Sequence, residues 1–121
     1  MPNPVVHWEY TVKDAKKSQE FYAQLFGWKV DANNSMNYGL VQTETGRGID
    51  GGIAESQDGS NHLAIYVEVD DLQAYLDKAV KLGAKVIMPV TVVPNMVTFA
   101  VFEDPSGIHT GLVKSESEGN G

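Results

Sequence analysis

The sequence predicts an α+β fold: two tandem βαβββ modules whose strands form a curled mixed sheet with a concave cleft, with the helices outside. Three observations predict it. Strand-like and helix-like segments follow the same order in both halves of the chain, an Asp precedes each helix-like segment, and short motifs repeat at a nearly constant spacing. The 121 residues are predicted to form one domain, with modules at about 5–55 and 62–114 and a disordered tail at 115–121.

The first module begins with VVHWEYTV (Val5–Val12), whose β-branched and aromatic residues predict a strand. Asp14 is placed to cap the helix that follows, and Gly27 is placed to end it. Small and apolar residues recur between them at helical spacing: Ala15, Ser18, Phe21, Tyr22, Leu25 and Phe26. Three strands then complete the module, at 29–31, 37–43 and 49–55.

The second module restarts the same pattern. HLAIYVEV (His62–Val69) predicts a strand, Asp71 is the helix cap and Gly83 the helix end. The apolar stripe of this helix contains Leu72, Tyr75, Leu76, Ala79 and Leu82. The remaining strands are predicted at 85–88, 96–102 and 108–113.

Short motifs show that the two halves are a tandem duplication. TVKDA lies on EVDDL at a shift of 57 residues, and FGWKV lies on LGAKV at a shift of 56. GIDGGIAE lies on GIHTGLVK at a shift of 59, which makes Gly52 equivalent to Gly111. The shift changes by only a few residues while the order of elements stays the same, as expected of a repeat of about 55 to 60 residues.

Composition excludes several functional classes. The chain has no cysteine, so a disulfide framework, a thiol nucleophile and a thiolate metal site are excluded. A net charge of -7, from 9 basic and 16 acidic residues, argues against nucleic-acid binding. No apolar run approaches the roughly 18 residues of a membrane span, and the first residues do not resemble a secretory signal. We therefore expect a cytoplasmic protein without nucleic-acid or membrane partners.

Three stretches resemble a known superfamily: VKDAKKSQEFYAQLFGWKV, VDDLQAYLDKAVKLGAKV and FEDPSGIHTGLV. They are similar to the vicinal oxygen chelate (VOC) superfamily, which contains glyoxalase I, bleomycin resistance proteins, fosfomycin resistance enzymes and extradiol dioxygenases. The resemblance covers nearly the whole chain. It implies paired βαβββ modules, usually a homodimer, and in the catalytic members a divalent metal held in the cleft by four side chains, two from each module.

The resemblance implies that one metal ligand lies on the first strand of each module. His7 matches that position, because it lies seven residues before Asp14. The same count back from Asp71 gives Ala64, which cannot bind a metal, although His62 lies two residues earlier on the strand. A step of two residues moves a side chain by roughly 6.6 Å, more than a metal–ligand bond tolerates without a strand slip.

The resemblance also places a glutamate ligand in the last strand of each module. In the second module this position lies four residues after Gly107 and is Gly111. The duplication makes Gly52 the equivalent position in the first module. Three of the four ligand positions are therefore vacated, and the two glycines are expected to enlarge the cavity there.

Strand alternation selects the residues that should line the cleft. His7 and Glu9 share one strand face, and His62, Ala64 and Tyr66 share another. The predicted ligand-binding residues are His7, Glu9, Gly52, His62, Ala64, Tyr66 and Gly111. Glu9 is also the candidate catalytic residue, because a carboxylate on an inward strand face is costly unless it is paired, hydrated or functional. His7 also has a purely structural interpretation, as a hydrogen-bonded interior residue.

Two main functions are compatible with these residues. The first is a glyoxalase/bleomycin-resistance-like protein with a degenerate metal site and no cofactor, which binds a small molecule in its cleft as a homodimer. The second is a glyoxalase I-like lyase or isomerase that depends on a divalent metal such as Ni, Zn, Fe or Mn. Its candidate ligands would be His7 and His62, with Glu9 as ligand or base. Metal-free acid–base chemistry by Glu9 with His7 is a third alternative, so the sequence leaves open whether the protein is an enzyme.

Overall fold

A computed structural model describes residues 2–33, 38–43 and 46–114, and its elements follow the order βαβββ twice. The first module contains β1 (Val5–Val12), α1 (Ala15–Phe26), β2 (Lys29–Asp31), β3 (Gly39–Gln42) and β4 (Gly51–Glu55). The second contains β5 (His62–Val69), α2 (Leu72–Lys81), β6 (Lys85–Val93), β7 (Val97–Glu103) and β8 (His109–Lys114). The predicted α+β class with two βαβββ modules is confirmed.

The largest difference from the predicted bounds is β6, which runs to Val93 instead of ending at Met88. Pro89 lies inside this strand, although proline cannot donate a hydrogen bond to a neighbouring strand. Here β6 is an edge strand, and its pairing with β7 shifts register between Met88 and Thr91, around the proline. An edge position with a register shift therefore accommodates Pro89. The predicted strand start at 37 and the predicted tail at 115–121 lie outside the described residues.

Both modules pair their strands in the same way. The first has the order β2-β3-β4-β1 and the second the order β6-β7-β8-β5. The first and last strands of each module are parallel, and the other pairs are antiparallel. Glu9 is paired with Gly52 in the first module, and Tyr66 is paired with Gly111 in the second. These pairs are related by the same shifts of 57 and 59 residues that the sequence repeat shows.

The helix ends confirm both predicted caps. The Asp14 carboxylate accepts from the backbone N–H of Lys17 at 3.1 Å, and the Asp71 carboxylate accepts from that of Ala74 at 3.1 Å. Each bond satisfies a backbone donor that has no partner within the helix. Gly27 ends α1 with φ of 73°, a left-handed conformation that favours glycine.

The chain divides into two compact units, His7–Leu63 and the rest, and their interiors differ. The core of the second module is a cluster of aliphatic side chains from the sheet and α2: Val69, Leu72, Leu76, Ala100 and Leu112. In the first module the buried apolar residues include Ala15, Val41 and Ile53. In the described part of the chain, neither helix is long and apolar enough to cross a membrane.

Candidate ligand site

In the first module, the candidate residues His7, Glu9 and Gly52 lie on one face of the sheet. Glu9 and Gly52 are cross-strand partners, and His7 lies two residues before Glu9 on β1. Their neighbour Tyr10 points the other way, because its ring contacts Tyr22 of α1 with a centroid distance of 5.4 Å. The three candidates therefore share the face opposite α1.

Tyr38 covers Gly52 on this face. A Cβ atom at Gly52 would overlap the hydroxyl and ring of Tyr38. The Tyr38 hydroxyl is also hydrogen-bonded to Nε2 of His7 at 2.8 Å, and the two rings are stacked with an interplanar angle of 25°. Sequence reasoning missed Tyr38. Its signal is positional: Leu40 is paired with Gly52, so a side chain two residues before Leu40 falls on the glycine face.

His7 is held mainly in its neutral form. Burial lowers the pKa of the His7 imidazole below its ordinary value of 6.5, and the negative charges of Glu9 and Asp50 partly offset this effect. Glu9 also accepts a hydrogen bond from the Thr11 hydroxyl at 3.4 Å. The face therefore combines a neutral imidazole, a phenol and a carboxylate.

The second module also has a tyrosine over its glycine, but this tyrosine comes from a different part of the module. Gly111 is covered by the ring of Tyr66, its own cross-strand partner, and a Cβ atom there would overlap that ring. Tyr66 is 7% exposed, and it also contacts the Phe99 ring edge-on at a centroid distance of 6.5 Å. Ala64 lies two residues before Tyr66 on β5 and is half-buried.

The prediction that Gly52 and Gly111 enlarge the cavity is wrong. The volume that a larger side chain would need at each position is taken by a tyrosine ring, Tyr38 in one module and Tyr66 in the other. A glycine in a strand commonly marks such a close approach of a neighbouring group. The sequence identified the vacated positions, but a single sequence does not show which side chain moves into the space.

His62 does not lie on the face that contains His7. Its Nε2 atom is hydrogen-bonded to the Ser60 hydroxyl at 2.8 Å, and its exposed side chain borders a groove with Tyr10 and Tyr22. These two tyrosines mark the α1 side of the sheet, so His62 contacts a different surface from His7. His109 is two residues before Gly111, and its Nε2 atom lies 3.4 Å from the Glu103 carboxylate.

A family model described as the Glyoxalase/Bleomycin resistance protein/Dioxygenase superfamily matches residues 5–111. The chain belongs to this superfamily. Among curated relatives, "Putative glyoxylase CFP32" of Mycobacterium bovis is 31% identical over 107 residues, which are 82% of this chain and 41% of the relative. This chain thus spans about two fifths of that relative's length. A "Glyoxylase-like domain-containing protein" of Didymella fabae is 29% identical over 82% of this chain and 84% of its own.

Several solved structures share the fold. Hypothetical protein BH1468 of Bacillus halodurans matches with a TM-score of 0.67 and 14% identity, covering 96% of both chains. Methylmalonyl-CoA epimerase of Mycobacterium tuberculosis matches with a TM-score of 0.64 and 14% identity, covering 97% of this chain and 91% of its own. At these identities the likeness extends to the fold alone.

The residues of this superfamily member do not fit the divalent metal of its catalytic relatives. Both expected glutamate positions are glycines covered by tyrosine rings. His7, the one residue that matches an expected ligand, is hydrogen-bonded through Nε2 to Tyr38. Within residues 2–33, 38–43 and 46–114, no three His, Asp or Glu side chains come together in a way that could hold a metal ion. A protein site usually needs three or four such ligands.

Proposed function

We propose that this chain is a small-molecule-binding protein that works without a metal, and that its ligand contacts the imidazole–phenol face formed by His7, Glu9 and Tyr38. The observation that carries the proposal is the tyrosine ring that covers each glycine where the family resemblance leads one to expect a carboxylate. At Gly52 and at Gly111 an aromatic ring occupies the space that a metal-binding side chain would need. A tyrosine ring offers a ligand an apolar surface and a hydroxyl, which suits binding of an organic molecule.

The charges on this face favour a ligand with a cationic or donor-rich group. Glu9 and Asp50 both act electrostatically on His7, and both raise its pKa against the effect of burial. Leu40, which is paired with Gly52 on the same face, is 41% exposed and offers apolar contact. The preferred ligand is therefore a small organic cation with an apolar or aromatic part.

Matched ligands of one shape and different charge test this proposal. Benzylamine, benzyl alcohol and phenylacetate would be titrated calorimetrically into chelator-treated protein. We expect benzylamine to bind at least tenfold more tightly than phenylacetate, since a hydrogen bond to a charged group contributes about 1.5–3 kcal/mol. Glu9→Gln should abolish the preference. Glu20→Gln, at an exposed position on α1, is the matched control and should keep it.

The contrary results are equally definite. Benzylamine binding that is unchanged in both Glu9→Gln and Tyr38→Phe would remove the face from the proposal. Binding that needs an added divalent metal would favour the glyoxalase I-like alternative instead. The homodimer stays a prediction, which sedimentation of the wild-type protein would check.

A further inference from the structure

A groove lies on the other side of the first module. It is an open surface groove with a volume of about 340 Å³. Its walls come from three segments that sequence reasoning did not connect: Tyr10 and Val12 of β1, Ser18 and Tyr22 of α1, and Asn61 and His62 beside them. It lies on the α1 side of the sheet and is therefore separate from the imidazole–phenol face.

The internal repeat shows what fills the equivalent place in the second module. At a shift of 57 residues, Val12 corresponds to Val69 and Ser18 to Tyr75. Tyr75 packs against the aliphatic cluster that contains Val69. The first module has the same valine but only a serine hydroxymethyl group where the second has a tyrosine ring. The groove thus lies beside the position at which the second module carries the Tyr75 ring.

The groove combines aromatic walls with a polar border. The Tyr10 and Tyr22 rings are tilted against each other by 46°, and burial together with the neighbouring Tyr22 raises the pKa of the Tyr10 hydroxyl. That hydroxyl therefore stays protonated at neutral pH, and its side-chain hydrogen bond is with Tyr22. At the other end, the His62 imidazole is bonded to the Ser60 hydroxyl, which orients the ring at the border of the groove.

We propose that this groove binds a single-ring phenol or a similar small aromatic alcohol, which takes the place that the Tyr75 side chain occupies in the second module. The ring would lie against Val12 and the tyrosines, and its hydroxyl would hydrogen-bond to the polar border. This inference does not depend on the proposed function of the imidazole–phenol face, which lies on the other side of the sheet.

The probe is p-cresol, the side-chain analogue of tyrosine. Titrated into 15N-labelled protein, it should shift the amide signals of 10–22 and 60–63 saturably, with a Kd of about 1 mM or lower for so small a ligand. Toluene, which lacks the hydroxyl, should bind at least threefold more weakly. Ser18→Tyr restores the ring of the second module and should weaken p-cresol binding at least tenfold. Lys16→Tyr, at an exposed α1 position, should leave it unchanged.

Ser18→Leu serves as a second filling variant if Ser18→Tyr is unfolded by circular dichroism. The proposal is overturned if p-cresol shifts persist in a folded filling variant, or if they centre on His7 and Tyr38. It is also overturned if 10–22 and 60–63 shift with protein concentration in the absence of p-cresol, because a second copy would then supply the ring. Loss of benzylamine binding in Glu9→Gln would not alter any of these results, so the two sites are tested separately.

Discussion

The two modules share a backbone plan but differ in how the helix packs on the sheet. In the second module α2 places Leu72 and Leu76 in an aliphatic core, at 6% and 3% exposure. At a shift of 57 residues the corresponding α1 positions are Ala15 and Gln19. Gln19 is half-buried, and its amide donates to the carbonyl of Ile53 at 2.9 Å. Strand pairing and caps thus preserve the fold, while the helix–sheet packing has diverged.

The glycine positions show similarity instead, because a tyrosine ring covers the glycine in both modules, although it comes from a different position in each. Tyr66 covers Gly111 from the neighbouring strand and is 7% exposed. Tyr38 covers Gly52 from the residue just before β3, is half-buried and contacts the glycine through its hydroxyl end. The vacated ligand position is therefore more firmly filled in the second module than in the first.

The largest expected difference between the modules concerns their cores. Leu76→Ala should lower the free energy of unfolding by about 2–5 kcal/mol, because it leaves a cavity in a closed aliphatic cluster. Gln19→Ala should cost about 1 kcal/mol, the usual contribution of one hydrogen bond. Urea denaturation of both variants measures the difference. Equal losses would show that the two helix–sheet interfaces are energetically alike and would remove the contrast between the modules.

The glycine contacts should differ by a smaller amount. Gly111→Ala should destabilise by about 1–3 kcal/mol, since the new methyl group overlaps a buried ring. Gly52→Ala should cost less, because Tyr38 can move its hydroxyl end, and Tyr38→Phe should relieve part of that cost. Thermal unfolding of the single and double variants tests this order. A larger loss in Gly52→Ala than in Gly111→Ala would mean that Tyr38 is the more tightly held ring.

The caps should show the least difference between the modules. Asp14→Ala and Asp71→Ala should each lower the free energy of unfolding by about 1 kcal/mol, because each removes one side-chain bond to a backbone donor. Restoration by Asn at either position would show that hydrogen bonding, and not charge, is responsible. A loss confined to one helix would contradict the view that the two caps are equivalent parts of the repeat.

The pH dependence of the free energy of unfolding should contain a contribution from His7 of the first module. Because burial lowers the pKa of His7 in the folded state below 6.5, the unfolded chain binds its proton more readily. The contribution of His7 is therefore fully present above pH 6.5 and is lost as the pH falls through its folded-state pKa. His7→Gln should flatten this part of the stability profile. An identical slope in wild type and His7→Gln would contradict the assignment.

Much of this organisation could be predicted from the sequence, because its signals are local. The Asp14 and Asp71 caps and the strand alternation depend on neighbouring residues, and the duplication fixed the equivalence of Gly52 and Gly111. The tyrosine over each glycine could not be predicted, since it depends on contacts between strands. The extension of β6 past Pro89 was missed for a related reason: whether a proline is tolerated depends on whether its strand lies at an edge.

The central claim is that tyrosines have replaced the metal-binding carboxylates, and metal-dependent unfolding tests it most directly. Chelator-stripped wild type and His7→Ala would be melted with and without Ni, Zn, Mn, Fe(II) and Co ions, the iron under anaerobic conditions. A metal present at 100 times its Kd would add about 2.7 kcal/mol to the stability of a protein with a formed site. We predict no such stabilisation of the wild type by any of the five ions. A stabilisation of that size that disappears in His7→Ala would contradict the account and restore the metal-dependent alternative.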